Sequence, residues 1–559
     1  MTASHQLAPA SRPSENGFRF DLVAGLTAAA VVLPKAMAYA TVAGLPPAVG
    51  LYTAFVPGVV YGLLGSSRVL SVSSTTTLAI LVGADLGDAV PDGDPAKLAA
   101  ATATLTALVG VALIVARLLR LGFVANFISS PVLTGFKAGI GLVILLDQAP
   151  KLLGLHLAKR SFCSDLASLI HHLPETSAMA LAIGAATLFF LVGMEVFRPH
   201  SPAPLIAVSG AILASWLLGL AAQAGATVGH IPRGVPTLTL PDLAMVRDLA
   251  PGALGVALMS FTESIAAARA FARSGDPPID ANRELVATGA ANLAGAFFGA
   301  MAAGGGTSQT GVVFSAGGVT QKASLVCAGA ALATMLALAP LLGFLPNATL
   351  AAIVIVYSAS LIQLPEFVAI RRVRNMEFWW AVAAALGVLT FGTLKGIVVA
   401  IILSLIGLGS QMARPRVSVI GQKRDADVLR PLSPDHPDDE TIEGLLIVRP
   451  EDRLFFLNAQ NVADRIAALQ AEYRPRVVVL DMSRVPDIEF SALEMMIERN
   501  KRAKDLGFVV WLAGLNPDAL EMVRRSGLAE QLGAERMFFN TRTAIERFKT
   551  MTPAENESR

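Results

Sequence analysis

Long apolar runs dominate the chain between residues 21 and 412. A helix that crosses a lipid bilayer needs about 20 predominantly apolar residues. Runs of that kind are Leu98–Ala116, Ser177–Val196, Pro204–Ala222, Gly252–Ala272, Leu285–Ala303 and Ala323–Leu342. Two further runs, Trp379–Thr393 and Gly396–Gly409, follow each other so closely that we expect a helical hairpin. We count about fourteen segments, some too short to cross alone, and predict a polytopic α-helical membrane protein.

Two segments have a different pattern, in which hydroxyl or glycine residues precede about half a helix of apolar residues. One is Ser-Val-Ser-Ser-Thr-Thr-Thr-Leu-Ala-Ile at 71–80, and the other is Gly-Gly-Gly-Thr-Ser-Gln-Thr-Gly-Val-Val-Phe at 304–314. A half-helix that starts inside the membrane presents free N–H groups and a positive dipole end, which favour an anion. Small residues that let helices pack closely produce the same pattern. Two such segments at matching positions favour a binding site.

The pattern changes after Met412, where short apolar runs alternate with amphipathic ones. We expect strands at Leu445–Val448, Arg453–Leu457, Val477–Leu480 and Phe508–Leu512, and helices at Gln460–Tyr473, Ser491–Leu506 and Pro517–Val523. Alternating strands and helices indicate a small α/β domain. The stretch Pro415–Glu440 is rich in Pro, Asp and Arg, which is typical of a linker.

Charge supports this division and predicts an orientation. Charged residues make up 15% of the chain, against about a quarter in soluble proteins, and they are concentrated after Met412. In the membrane part, Lys and Arg favour one set of loops, which predicts cytoplasmic termini, while Asp85 and Asp88 fall on the opposite side. The N-terminus lacks the apolar core of a signal peptide. The net charge of +2 indicates no nucleic-acid partner, and Cys163 and Cys327 match no metal-binding pattern.

Several motifs, in order, resemble the SulP family of anion transporters, the sulfate-permease group that includes pendrin and prestin. Val-Leu-Pro-Lys-Ala-Met-Ala-Tyr-Ala-Thr-Val-Ala-Gly-Leu-Pro-Pro at 32–47, followed by Gly50-Leu-Tyr, is similar to the first-span signature. Gly65-Ser-Ser-Arg, Phe261-Thr-Glu-Ser and Thr320-Gln also fit, and the C-terminal domain resembles a STAS domain. The resemblance implies two inverted seven-segment repeats, arranged as core and gate domains, and a homodimer.

The predicted domains follow from these boundaries. They are a cytoplasmic N-terminal tail at 1–19, a transmembrane transporter domain at 20–412, a linker at 413–440, a cytoplasmic STAS domain at 441–550 and a tail at 551–559.

The resemblance also implies an anion site between the third and tenth segments, near the first. Its substrate-binding positions fall on Lys35, Tyr39, Ser74, Thr75, Thr307, Ser308 and Gln309. The family commonly has Gln at the position of Lys35, and many animal members have Arg at the position of Gln309. A cation has therefore moved from the tenth segment to the first. Otherwise Lys35 snorkels to a membrane surface.

Glu263 is a charge in the middle of an apolar segment, where carboxylates are costly and usually functional. Low dielectric favours the neutral acid, which makes Glu263 a candidate proton carrier. In related bicarbonate carriers, the position of Glu263 resembles part of a sodium site that is held by an Asp. Because this chain has Glu in its place, a proton is favoured over sodium here. The alternative is a structural ion pair with Lys35.

In the STAS-like domain, Phe490 occupies the position that aligns with the phosphorylated Ser of anti-sigma-factor antagonists. Because the hydroxyl is absent, we expect a structural or docking role, with a cytoplasmic partner protein or a nucleotide left open.

Together these observations predict a secondary active transporter of a small anion in the inner membrane. Sulfate is favoured over bicarbonate or a C4-dicarboxylate, by proton-coupled symport or by exchange. A passive anion channel and a transporter-like sensor are the alternatives. No motif indicates an enzyme or a cofactor.

Overall fold

The computed structural model describes residues 17–551 apart from 123–128, 156, 158–160, 199–201, 220–226, 230, 232, 274, 424–425 and 427. Most of the predicted N-terminal tail, and the C-terminal tail after Met551, lie outside the described residues. The chain divides into two compact units, one ending at Ser404 and the other beginning at Leu405.

In its described residues, the first unit is helical apart from two very short strands. Its elements are α1 Gly17–Val42, α2 Pro47–Leu64, β1 Val72–Ser73, α3 Thr76–Ala89, α4 Pro95–Leu118, α5 Ser130–Leu153, α6 Phe162–His172, α7 Ala178–Phe197, α8 Ala203–Leu217, α9 Val246–Ala270, α10 Ala281–Phe297, β2 Gly304–Gly305, α11 Thr307–Ser315, α12 Lys322–Ala333, α13 Ala339–Leu342, α14 Asn347–Ala359, α15 Leu364–Val373, α16 Asn375–Phe391 and α17 Thr393–Ala413, which continues into the second unit.

Among the described residues, eight helical stretches are long and apolar enough to cross a bilayer. Shorter apolar helices lie at Ala203–Leu217, Asn375–Phe391 and Ile402–Ala413, and α3 and α11 are the two half-length helices that the sequence predicted. One expected span is shorter than its apolar run: α10 ends at Phe297, because Gly299 takes a left-handed conformation with φ of +66°.

The helices form two groups by their mutual packing. The first helix group contains α1–α4 and α9–α12, and the second contains α5, α7, α8, α14 and α16. Glycine lets helix backbones approach closely within each group. A Cβ on Gly110 of α4 would lie 2.8 Å from the Gly289 carbonyl of α10, and one on Gly135 of α5 would lie 1.9 Å from the Ala381 carbonyl of α16. Between the groups, α1 packs against α8 and α14.

The second unit contains a mixed sheet with helices on both faces. Its strands are β3 Val417–Lys423, β4 Leu429–Pro431, β5 Asp439–Glu440, β6 Leu445–Pro450, β7 Val477–Asp481, β8 Val509–Ala513 and β9 Met537–Phe538, and its helices are α18 Ala459–Tyr473, α19 Phe490–Asp505, α20 Pro517–Arg525, α21 Leu528–Leu532 and α22 Thr541–Thr550. The order is β4-β3-β6-β7-β8-β9, with β6 to β9 parallel, and β5 pairs with β3. The predicted α/β domain is therefore confirmed.

Two details of that domain differ from the sequence prediction. Arg453–Leu457 is not a strand but makes a single bridge, Leu454 to Ile488, because Asn458 Oδ1 accepts from the Phe455 N–H at 3.0 Å and turns the chain into α18. The segment predicted as a linker carries β3, β4 and β5. Its charged residues suit short edge strands, where Arg430 Nε donates to Asp439 at 2.7 Å.

Candidate functional site

The half-length helices α3 and α11 begin at the same place in the first helix group, because the strands that precede them pair. β1 and β2 run antiparallel, with Ser73 opposite Gly304. α3 then begins at Thr76 and α11 at Thr307. Free N–H groups at two neighbouring helix N-termini produce a positive potential that favours an anion.

We refer to β1 and β2 as the crossing strands. The second of them, β2, is held by buried side chains, since extended backbone inside a membrane protein needs partners within the protein. Asn292 Oδ1 accepts from the Ala303 N–H at 2.8 Å, and its Nδ2 donates to the Ala303 carbonyl at 3.0 Å. Ser260 Oγ donates to the same carbonyl at 2.7 Å. Ser264 Oγ accepts from the Gly305 N–H at 2.7 Å. These bonds position the N-terminus of α11.

The first crossing strand, β1, is held by side chains of α11, which bond the residue directly before it. The Ser71 N–H donates to Thr310 Oγ1 at 3.1 Å, and Gln309 Nε2 donates to the Ser71 carbonyl at 2.8 Å. Gln309 is 7% exposed. The amide nitrogen of this predicted site residue is therefore engaged within the protein, where it joins the two crossing segments.

Lys35 is buried at 5% exposure and lies directly after Pro34 inside α1. Its Nζ donates to Ser308 Oγ at 2.9 Å and lies 3.5 Å from the centroid of the Tyr357 ring on α14. The side chain therefore points between the two helix groups, towards the start of α11. The structure therefore does not support snorkelling of Lys35 to a membrane surface.

Glu263 on α9 contacts the other half-helix. Thr75 Oγ1 donates to Glu263 Oε2 at 2.9 Å, and the same hydroxyl accepts from the Leu78 N–H at 3.3 Å as the cap of α3. In the part of the chain that the structure describes, no ion pair joins Glu263 to Lys35. The alternative of a structural ion pair between them is therefore not supported.

The remaining predicted site residues lie on the same elements. Tyr39 is buried at 7% exposure one turn beyond Lys35 on α1. Ser74 is buried, and its Oγ has no hydrogen-bond partner among the described residues. Thr307 and Ser308 are exposed at the first turn of α11. The fold thus brings all seven predicted positions to α1, to the crossing strands or to the helix N-termini.

Sequence reasoning missed Tyr357, which lies in an apolar run with no neighbouring polar motif. It also missed Glu284, which is fully buried. Glu284 accepts from Tyr61 at 2.8 Å and from the Ser66 N–H at 2.8 Å. Ser66 belongs to the Gly65-Ser-Ser-Arg motif, so this motif was the signal in the sequence that could have led to a carboxylate partner.

Asp85 corrects the expected loop assignment. The charge pattern placed it outside the membrane, but it lies within α3 and is 5% exposed. Its Oδ2 has no hydrogen-bond partner among the described residues, and its carboxyl packs on Gly252 of α9, where a Cβ would lie 1.7 Å from Oδ2. The physical reason is that glycine on α9 leaves room for the acid between two packed helices.

In the second unit, Phe490 is 68% exposed at the start of α19. A separate polar cluster lies at the carboxyl ends of the parallel strands, where Arg449 donates to Asp481 at 2.7 Å. Burial would raise the pKa of Asp481, but hydrogen bonds from Ser483 and Arg449 hold that pKa below its usual value.

Sequence comparison gives matches along nearly the whole chain. A profile of the sulfate permease family matches residues 18–384, and a STAS domain profile matches residues 436–544. A probable sulfate transporter of Mycobacterium tuberculosis is 33% identical over 535 residues, which cover 95% of each chain. Sulfate transporter 1.1 of Arabidopsis thaliana is 29% identical and covers 94% of this chain and 85% of its own.

Two solved structures share the fold. The murine Solute Carrier 26 family member A9 anion transporter, in the inward-facing state, superimposes with a TM-score of 0.88 at 23% identity and covers 97% of this chain and 93% of its own. The transmembrane domain of the cyanobacterial bicarbonate transporter BicA gives 0.60 at 23% identity, over 70% of this chain and 99% of its own. The predicted fold, a helical membrane transporter followed by a STAS domain, is confirmed.

Proposed function

Because this chain belongs to the sulfate permease family, we propose that it moves a small anion across a membrane by secondary active transport. The anion binds between the N-termini of α3 and α11, beside Lys35. The observation that carries this proposal is the convergence of both N-termini and the Lys35 ammonium group, which lies 2.9 Å from Ser308 on the first turn of α11. Helix N-termini and a cation together favour a negative charge at this point.

Each predicted side chain has a role in this site. Lys35 supplies the charge, and the hydroxyls of Tyr39, Ser74, Thr307 and Ser308 supply donors to the anion. Ser74 Oγ is a donor without a partner among the described residues, so binding an anion would satisfy it. Gln309, whose nitrogen bonds Ser71, contributes by holding the crossing strands, and its amide oxygen is not a donor.

Glu263 couples transport to protons through Thr75. An ionised Glu263 attracts the Thr75 hydroxyl proton, as in the 2.9 Å hydrogen bond between them, and places a negative charge near the site. A protonated Glu263 removes that charge and releases the Thr75 hydroxyl to donate to an anion. Proton binding and anion binding therefore favour each other, which is the requirement for symport.

Sulfate is the favoured substrate, with bicarbonate and C4-dicarboxylates as competitors. The mycobacterial and plant relatives bear names of sulfate transporters, and a site rich in hydroxyl donors suits a tetrahedral oxyanion. The structural neighbour BicA is named for bicarbonate, which keeps that anion among the candidates.

Uptake into proteoliposomes tests these proposals. Labelled sulfate, bicarbonate and a C4-dicarboxylate are offered under an inward proton gradient, an inward sodium gradient, or with anion loaded inside. We expect sulfate to accumulate under the proton gradient. Accumulation that depends on the sodium gradient would show that sodium, and not a proton, is the coupling ion. Uptake insensitive to every gradient would contradict active transport and indicate a channel.

The assembly and orientation follow the same family relationship. We infer an inner-membrane homodimer with both termini and the STAS domain cytoplasmic, and with Phe490 available to a cytoplasmic partner. Cysteines placed in the two tails should react with an impermeant reagent only after the cell membrane is opened, and cross-linking in membranes should give a dimer.

A further inference from the structure

We propose that the Tyr357 ring is the counter-charge of Lys35 in the anion-free protein and stabilises the protonated form of this buried amine while no anion is bound. This proposal rests on the proposed function, because it assigns a role in the same site. The ammonium group lies 3.5 Å from the ring centroid. Aromatic rings attract cations at their faces, and the attraction is strongest where water is excluded.

A charged lysine at 5% exposure needs compensation, because an isolated ammonium group is costly in an apolar interior. The hydrogen bond to Ser308 satisfies one of its three donors but supplies no negative charge. The ring face supplies partial negative charge on another side. One N–H therefore remains for an incoming anion.

Other ionisable groups stand around this pair. Glu195 on α7 lies within electrostatic range of both Lys35 and Tyr357, and Tyr39 lies within range of Tyr357. Glu263 on α9 accepts a hydrogen bond from Thr75. Among the described residues, other ionisable side chains on helices that contact α1 are Tyr52, Tyr61, Asp85, Asp88, Lys322, Cys327 and Lys151, which donates to the Thr41 carbonyl of α1 at 3.1 Å. Glu195 is therefore the competing counter-charge, and the test has to separate it from the ring.

The position of Tyr357 gives the contact a second consequence. Lys35 belongs to α1 of the first helix group and Tyr357 to α14 of the second. An anion that draws the ammonium group away from the ring loosens a contact between the two groups. Tyr357 is thus a positioning residue that acts through Lys35 and does not touch the anion.

The reactivity of Lys35 tests this role without any anion. Reductive methylation modifies only the neutral amine, so mass spectrometry of full-length protein methylated over a pH series gives the midpoint at which Lys35 loses its proton. Tyr357→Leu, which removes the ring, should lower that midpoint by about one pH unit relative to wild type. Tyr357→Phe retains the ring face and should leave it unchanged. Tyr357→Met replaces the leucine variant if the latter does not fold.

Two outcomes would overturn the proposal. One is an identical midpoint in the leucine and phenylalanine variants. The other is a lower methylation midpoint in Glu195→Gln together with an unchanged midpoint in Tyr357→Leu, which would make Glu195 the counter-charge.

Sulfate binding, measured as thermal stabilisation of the same variants, separates this inference from the proposed function. We expect Tyr357→Leu to lose affinity at a lower pH than wild type does, and to recover it in acid. If sulfate, bicarbonate and a C4-dicarboxylate stabilise no variant while the methylation midpoint still shifts, the anion site is wrong and the role of Tyr357 stands.

Discussion

The Thr75 hydroxyl joins the cap of α3 to Glu263, because it accepts from the Leu78 N–H and donates to Glu263 Oε2 at 2.9 Å. A single hydroxyl therefore links the N-terminus of a half-helix, where we propose that the anion binds, to an acid on α9. A change in the charge of Glu263 therefore changes the hydrogen bond that the cap of α3 donates.

Replacement of Glu263 by Gln should abolish uptake driven by an inward proton gradient, because the amide cannot carry the proton. Exchange of internal for external anion needs no net proton movement, so we expect it to continue. The measurement compares both activities in proteoliposomes. Glu366→Gln on α15, where the acid accepts from Thr134, is the matched control and should behave as wild type. Unimpaired concentration of substrate by Glu263→Gln would exclude this residue as the proton carrier.

Bulk at the start of α11 should block the site. Ser308→Leu removes a hydroxyl and places a branched side chain beside the Lys35 ammonium group, so anion affinity should fall at least about tenfold. Ser315→Leu adds the same bulk at the other end of α11 and should bind normally. Equal anion affinities in the two variants, measured by thermal stabilisation, would show that the anion binds elsewhere.

Lys35→Gln should weaken anion binding, because it removes the cation at the site. At an effective dielectric of about 20, unit charges about 4 Å apart interact by about 4 kcal/mol. Desolvation leaves about 1 to 2 kcal/mol, on the order of tenfold in affinity. Gln309→Arg, added to the single variant, should restore part of the loss while donating to the Ser71 carbonyl as Gln309 does. Wild-type affinity in the single variant would refute the relocated charge.

Gly252→Ala should destabilise the membrane unit, since its Cβ would lie 1.7 Å from Asp85 Oδ2. Overpacking of this kind costs about 1 to 3 kcal/mol, which should lower the thermal unfolding midpoint. Gly87→Ala on α3 has no atom of the described residues within 4 Å of its Cβ and is the control. Adding Asp85→Ala should recover much of the stability, and no recovery would mean that the clash involves another group.

Asp481→Asn should loosen the sheet of the second unit, because it breaks the buried pair with Arg449. Removing one partner of such a pair costs about 3 to 5 kcal/mol. The folded-state pKa of Asp481 is lowered, so its stabilisation is present above the ordinary carboxyl pKa and is lost as the pH falls through the folded value. Hydrogen exchange of β6 to β8 in the full chain should rise in the variant at neutral pH. Exchange equal to wild type would contradict this prediction.

Local patterns determined much of this protein. Apolar run lengths predicted the spans, since a bilayer imposes a length on any helix that crosses it. The hydroxyl and glycine runs at 71–77 and 304–310 predicted the half-helices α3 and α11. These features depend on neighbouring residues alone, so they can be recognised without a fold.

Tertiary structure decided which distant groups meet. Lys35 and Tyr357 lie more than three hundred residues apart, and only packing of α1 against α14 brings the ammonium group over the ring. The burial of Asp85 likewise depends on a glycine of α9. The strands within 415–440 exist because β6 and β3 offer them hydrogen-bond partners. Such contacts are set by the whole fold, because the energy of a buried charge or an edge strand depends on what lies across from it in space.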